Sequence, residues 1–220
     1  MHWFNFTHHK WLDFLFPPRA DEIALRDVSS DDFLSLIAPQ IVSETRPGTV
    51  MLLPFSDARV RMAIHEAKYH GSKHAFNLLA LALSEYLRDA DDVGHQRSYI
   101  VPIPLGATRR KERGYNQVEE IVRCSLHILG ETTPCQFILE PDLLIRTRET
   151  ESQVSLPSHK REENMRGAFC VAKDAMNHID PSHTYIVIDD VITTGATLQS
   201  AIDALKDAGV EHIIPLALAH

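Results

Sequence analysis

Cysteine is scarce in this chain and wrongly spaced for the commonest structural roles. Cys124, Cys135 and Cys170 are the only three in 220 residues, and no Cys-x-x-Cys pair occurs. Their number and spacing argue against a disulfide framework and a cysteine-based structural zinc site, and reduced, buried thiols are expected. Long apolar runs are missing as well: the longest, such as Leu78 to Leu83, fall far short of the roughly 18 residues that span a bilayer. No membrane contact is expected. Nor is there an excess of basic charge, since 22 Lys and Arg stand against 30 Asp and Glu for a formal charge of -8. That balance rules out a generally basic nucleic-acid coat, so any polyanion site must be locally concentrated. The N-terminus mixes aromatics with His8, His9, Lys10 and Asp13 in place of a basic n-region and a clean apolar core. It does not read as a signal peptide, and a cytoplasmic protein is expected. With 44% apolar and 24% charged residues, the composition is that of an ordinary globular chain and excludes disorder.

No internal repeat is present, and the apolar period divides the chain into segments. Residues 1 to 16 hold six of the sixteen aromatics (Trp3, Phe4, Phe6, Trp11, Phe14, Phe16), and Pro17-Pro18 blocks any helix from continuing. A helix covering the core, or a homodimer face, accounts for these aromatics more simply than a membrane anchor does. From Asp21 to Pro54 the signals are weak. One short helix is expected at Asp31 to Ile41 (Phe33, Leu34, Ile37, Ile41), behind the cap-like Ser29-Ser30. Residues 1–54 are read as an N-terminal appendage and 55–220 as the main domain. Within the latter, Val60, Ala63, Ile64 and Ala67 predict a helix that ends at His70-Gly71. Ala75, Phe76, Leu78, Leu79, Ala82, Leu83, Tyr86 and Leu87 predict a longer one packed on a sheet. Tyr99 to Pro104 reads as a buried strand closed by prolines. A helix through Val118, Ile121, Val122, Leu126 and Leu129 follows, then a strand at Leu143 to Ile145 and about twenty polar residues from Arg146 to Arg166. Tyr185 to Ile188 is the strongest strand signal, followed by a helix through Leu198, Ala201, Ile202 and Leu205 and a last strand at Ile213 to Leu218. Strands alternating with helices predict an α/β fold, a parallel sheet flanked by helices on both faces.

The sharpest chemical feature is Ile186-Val-Ile-Asp-Asp-Val-Ile-Thr-Thr-Gly-Ala-Thr197. A buried strand here delivers Asp189 and Asp190 to its carboxyl end, the edge where α/β sheets bind ligands, and then turns into a helix. The loop of Thr193, Thr194, Gly195, Ala196 and Thr197 can aim successive backbone N–H groups inward, with the helix N-terminus behind them. That is a phosphate cradle, and it is not a P-loop, because no Gly-Lys-Ser/Thr follows. Carboxylates just ahead of a phosphate can accept hydrogen bonds from ribose hydroxyls and favour positive charge at an anomeric carbon. Sugar phosphate is the implied ligand. Arg109, Arg110, Lys111 and Arg113 place four cations within five residues after a strand end, suited to a diphosphate but also compatible with a merely solvated basic face. The loop after Arg146, with Arg148, Lys160 and Arg161, can serve as a lid that excludes water, or can be a plain insertion. His70 and His74 lie four apart, yet Gly71 separates them and no third ligand is evident, so no metal site is assigned.

The Asp-Asp-Val-Ile-Thr-Thr-Gly-Ala-Thr string resembles the phosphoribosyl-pyrophosphate signature of the type I phosphoribosyltransferases. Val101-Pro-Ile-Pro-Leu105 with Arg109-Arg-Lys-Glu-Arg-Gly-Tyr-Asn-Gln117 resembles the corresponding segment of the ComF family, the competence-associated branch. So do the spacing of Arg146, Arg148, Thr150, Gln153, Leu156, Arg161, Asn164 and Gly167-Ala-Phe169, and the helix ending Ala67-Lys-Tyr-His-Gly71. The resemblance covers roughly residues 55 to 220. It implies that Asp189 and Asp190 hold the ribose, that Val191 and Thr193 to Thr197 hold the 5-phosphate, and that the turn of Pro104 and Leu105 faces pyrophosphate, with Mg2+ carried by the ligand. Family members commonly begin with a four-cysteine zinc module, and Phe16-Pro-Pro-Arg-Ala20 resembles its start with Ala20 in place of cysteine. That module is absent or degenerate here. Met1-His2 offers no N-terminal cysteine nucleophile, so glutamine-dependent ammonia transfer is not expected. Two functions stay open: transfer of the phosphoribosyl group to an acceptor, or a non-catalytic module for DNA uptake that contacts single-stranded DNA or a partner protein.

Overall fold

The computed structural model describes residues 19–91, 97–130, 136–147, 165 and 167–220. Two short helices come first, α1 (Ala20–Arg26) and α2 (Ser30–Leu34). Ser29 caps α2 by accepting from the Asp32 amide at 3.1 Å. The helix expected over 31–41 ends at Leu34 instead. Pro39 pushes its predecessor out of the helical region, and Ile41 lies on an edge strand, 77% exposed. That strand, β1 (Gln40–Val42), pairs antiparallel with β2 (Thr49–Leu53), and β2 pairs parallel with the last strand of the chain. Residues 40–53 thus belong to the central sheet. Leu52 and Leu53 are fully buried there, each contributing about 2 kcal/mol of apolar transfer.

Helices α3 (Ala58–His70) and α4 (Lys73–Asp91) follow the predicted stripes. Asp57 caps α3 by accepting from the Arg59 amide at 2.8 Å, and Gly71 ends it at φ 61°, the left-handed conformation that favours glycine. Then come β3 (Ser98–Pro102), α5 (Ala107–Arg113), α6 (Gln117–Gly130) and β4 (Phe137–Leu139). The strand expected near Leu143 forms as β5 (Leu144–Arg146) but stays out of the main sheet. It pairs antiparallel with β6 (Phe169–Val171) in a separate ribbon. A 3-10 turn (Met176–His178) leads to β7 (Thr184–Val191), α7 (Ala196–Asp207) and β8 (His212–Ala219).

The six-stranded sheet runs β1-β2-β8-β7-β3-β4, parallel except for β1. Alternate residues of each strand face opposite sides. Ile100, Ile186, Ile188, Leu216 and Leu218 join the core under α3, α4 and α6, while Val101, Tyr185, Val187 and Ala217 join a second core under α7 and the β5–β6 ribbon. The chain leaves β3 toward β4 on one side and leaves β7 toward β8 on the other. Neighbouring strands whose connections diverge leave a crevice at their carboxyl ends, the topological switch point where α/β sheets bind ligands.

Candidate functional site

The switch point holds a cavity of about 490 Å³ lined by the ends of β3 and β7, by α3 and α5, and by Arg146 of β5. Asp189 and Asp190 sit in its floor. Being consecutive on a strand, they belong to opposite faces. Asp190 follows Ile186 and Ile188 toward the helices. There it meets Lys68 Nζ at 2.9 Å and accepts from Gln117 Nε2, both bonds reaching Oδ2. It is 5% exposed, so these two partners supply the compensation that a buried carboxylate requires. Asp189 follows Tyr185 and Val187 to the other face and accepts from the Asp190 amide at 2.9 Å. Burial first, and the negative charge of Asp190 second, push its carboxyl up to about 7, against the pull of Lys68 and Arg146. A cation brought beside it favours the ionised form.

Past β7 the chain turns through residues 193–195 into α7. Gly195 has φ 70°, and a Cβ there would stand 2.6 Å from the Glu44 carbonyl oxygen, so both angle and space require glycine. Among the described residues, no hydrogen bond uses the amide N–H of Thr193, Thr194, Gly195 or Ala196. Asp189, Val191, Thr193, Gly195, Ala196 and Thr197 surround a small recess at the mouth of this turn. Backbone amides at a helix N-terminus are groups that suit an anion. The Thr194 side chain is the exception within the loop. It lines a different cavity on the reverse side, with Glu44 and Ser200.

The same cavity is lined by Arg61, Lys68, Arg109, Arg113 and Arg146, together with Pro104 and Leu105 after β3. Five cations against two carboxylates give the cavity the positive balance that the whole chain lacks. Arg113 lies 5.3 Å above the Tyr69 ring and donates to Gln117, so one short network runs from the cation wall to Asp190. Arg146 lies 5.5 Å over the Phe169 ring. Of the expected diphosphate contacts, Pro104, Leu105, Arg109 and Arg113 line this cavity, whereas Arg110 pairs with Glu119 at 3.4 Å and faces a neighbouring one. Arg148, Lys160 and Arg161 lie outside the described residues, as does the aromatic N-terminus.

The stretch between the cations and α6 is built for positioning. Gly114 reverses the chain at φ 81°. Tyr115 donates to the Ala67 carbonyl at 2.8 Å, tying down the end of α3 next to Lys68. Asn116 caps α6 by accepting from the Val118 amide at 3.1 Å and donates to the Ile103 carbonyl at 2.9 Å, fixing the exit of β3. Lys68, Gln117, Arg61 and Arg146 are the site residues that the one-dimensional reading missed as such. Arg113-Gly-Tyr-Asn-Gln117 stands out in the sequence for its charge and its resemblance, and nothing in its spacing shows that Gln117 reaches a carboxylate 73 positions away.

The profile of the phosphoribosyl transferase domain matches residues 96–220, more than half of the chain. The chain belongs to the phosphoribosyl transferase domain family. It is 32% identical over 123 residues to competence protein F of Haemophilus influenzae, covering 54% of this chain and 49% of that one. It is 33% identical over 110 residues to competence protein ComFC of Bacillus subtilis, covering 50% and 39%. It is also 29% identical over 102 residues to a hypoxanthine/guanine phosphoribosyltransferase of Methanotorris igneus, covering 46% and 53%. The matches span about half, or less, of each relative. β7 and the loop after it, which carry the motif read from the sequence, both fall inside the matched region. No helix among the described residues is long and apolar enough to cross a membrane.

Proposed function

We propose that the cavity binds phosphoribosyl pyrophosphate with Mg2+ and that the protein transfers the phosphoribosyl group to an acceptor, releasing pyrophosphate. The observation that carries this reading is a cavity lined by five cations and a carboxylate pair that adjoins a recess at residues 193–197, where the amides of 193–196 make no hydrogen bond among the described residues. A 5-phosphate suits the amides of residues 193–197. Ribose hydroxyls suit Asp189 and the free oxygen of Asp190, whose other oxygen Lys68 and Gln117 hold still. A diphosphate suits Arg109, Arg113 and the turn at Pro104 and Leu105. The oxygen-only donors at Asp189 fit a hard cation, and Mg2+ held by diphosphate, water and one carboxylate would neutralise the leaving group. Departure of pyrophosphate builds positive charge on the anomeric carbon, which fixed carboxylates favour, so catalysis here is electrostatic positioning. The Methanotorris relative's name points to a purine acceptor as the first to try.

A second reading is a phosphoribosyl-pyrophosphate-responsive module in DNA uptake, favoured by the names of the two competence relatives and by the exposed Arg109, Arg110 and Lys111 on α5. Pyrophosphate release is measured with nucleobases and amines as acceptors, alongside retention of single-stranded DNA at graded salt. Release that is lost in Asp190→Ala supports the transferase. Binding without release for any acceptor, with salt-dependent DNA retention lost in Arg109→Gln/Arg110→Gln, supports the module.

A further inference from the structure

His65 and Glu66 on α3 and His70 at its last position each bring one ligand atom to a common point, all within 4.8 Å of one another. The arrangement escapes the sequence because it needs i, i+1 and i+5, and because the conspicuous pair, His70 and His74, does not form. His74 Nε2 instead bonds the Leu25 carbonyl at 2.9 Å. Glu66 has a fully buried side chain, while the two rings are partly open to solvent. Arg19 takes one lone pair on each Glu66 oxygen, Nε to Oε1 at 3.0 Å and Nη2 to Oε2 at 2.6 Å. A carboxylate oxygen has a second lone pair, and His70 Nε2 stands 4.0 Å from Oε1. His65 Nδ1 lies 3.3 Å from Asp21 Oδ2. With Nδ1–H turned to that carboxylate, Nε2 presents its lone pair, the carboxylate–histidine arrangement that orients metal-binding imidazoles.

We propose that His65, Glu66 and His70 bind a late first-row divalent cation such as Zn2+, with Asp21 orienting His65. Two imidazoles and one carboxylate select such an ion over Mg2+ or Ca2+, which take oxygen donors. Ligand atoms in a tetrahedral zinc site lie somewhat closer together than 4.8 Å, so binding requires the two exposed rings to turn toward Glu66. Three protein ligands leave a fourth position open. His65 also lines the main cavity, so that position opens beside its mouth and is available to water or to a donor atom of whatever the cavity holds. The ion would clip α1 to the last turns of α3, which carry Lys68 and hence Asp190. The site is independent of the identity of the ligand in the cavity.

Zn2+ is titrated calorimetrically into the full chain, with the visible d–d absorption of Co2+ as a second probe. The wild type is expected to show a site that His65→Ala and His70→Ala each weaken at least about tenfold, that His8→Ala/His9→Ala leaves intact, and that excess Mg2+ does not displace. Thermal melts without metal show whether the variants fold, and added Zn2+ is expected to raise the wild-type Tm but not that of His65→Ala/His70→Ala. Equal Zn2+ affinity in the wild type and that folded double variant, or displacement by Mg2+, would overturn the proposal.

Discussion

Gly195 and Asp189 respond to different probes, because one is constrained by space and the other by charge. Replacing Gly195 with Ala forces a left-handed backbone to carry a Cβ against the Glu44 carbonyl. Urea melts of Gly195→Ala are expected to show a loss of about 1–3 kcal/mol, with ligand affinity reduced more than tenfold as the amide loop shifts. Unchanged binding would mean the loop is not the socket. Asp189 is held near 7, above its ordinary value, so the folded state binds its proton more tightly than the unfolded state does. Its contribution to stability is complete below about pH 4 and is lost as pH rises through about 7. Asp189→Asn has no such proton to lose. Relative to wild type it is expected to gain stability as pH rises across that window, and melts at pH 4.5 and 7.5 read the difference. A constant gap between the two proteins would contradict the raised pKa. That Asp189 and Asp190 end a buried strand was legible in the sequence, because the apolar run of β7 leads straight into the acid pair. Their different surroundings were not, since partners such as Lys68 and Gln117 arrive from other elements.

The elements divide in the same way. β7, α3 and α6 could be read because each has an uninterrupted apolar pattern. α5 could not, because it buries none of its residues, so a run of cations looks the same as helix or loop. β1 escaped because three residues, two of them exposed, carry too little pattern, and Ile41 happens to extend the helical spacing of Phe33, Leu34 and Ile37. The link from α5 to α6 gives a test at this scale. Asn116→Ala removes the cap of α6 and the clamp on Ile103 together, and is expected to cost about 2–3 kcal/mol. Asn116→Asp keeps the capping acceptor and loses the donor to Ile103, so chemical denaturation should place it between Ala and wild type. Asp no better than Ala would mean that the clamp, not the cap, sets the energy.

At the scale of the molecule, the alternation of strands and helices disclosed a parallel sheet, and the family's motif disclosed which strand end matters. The sheet's far side stayed hidden, because β2 follows Pro47-Gly48 in a stretch of weak signal and finds its partner β8 only at the other end of the chain. A chain starting at residue 55 would lack β1 and β2 and leave the β8 edge, with buried Leu216 and Leu218, uncovered. It is expected to be insoluble or molten by circular dichroism and dye binding, and a cooperative melt equal to that of the full chain would contradict the sheet order. The central claim is that the crevice between β3 and β7 is a socket for an activated pentose phosphate. Crystals soaked with Mg2+ and phosphoribosyl pyrophosphate test it most directly. The 5-phosphate is predicted within hydrogen-bond reach of the amides of residues 193–197, with ribose hydroxyls at Asp189 and Asp190 and the diphosphate toward Arg109 and Arg113. A saturating soak that leaves those amides empty, or that places the sugar phosphate elsewhere, would contradict it.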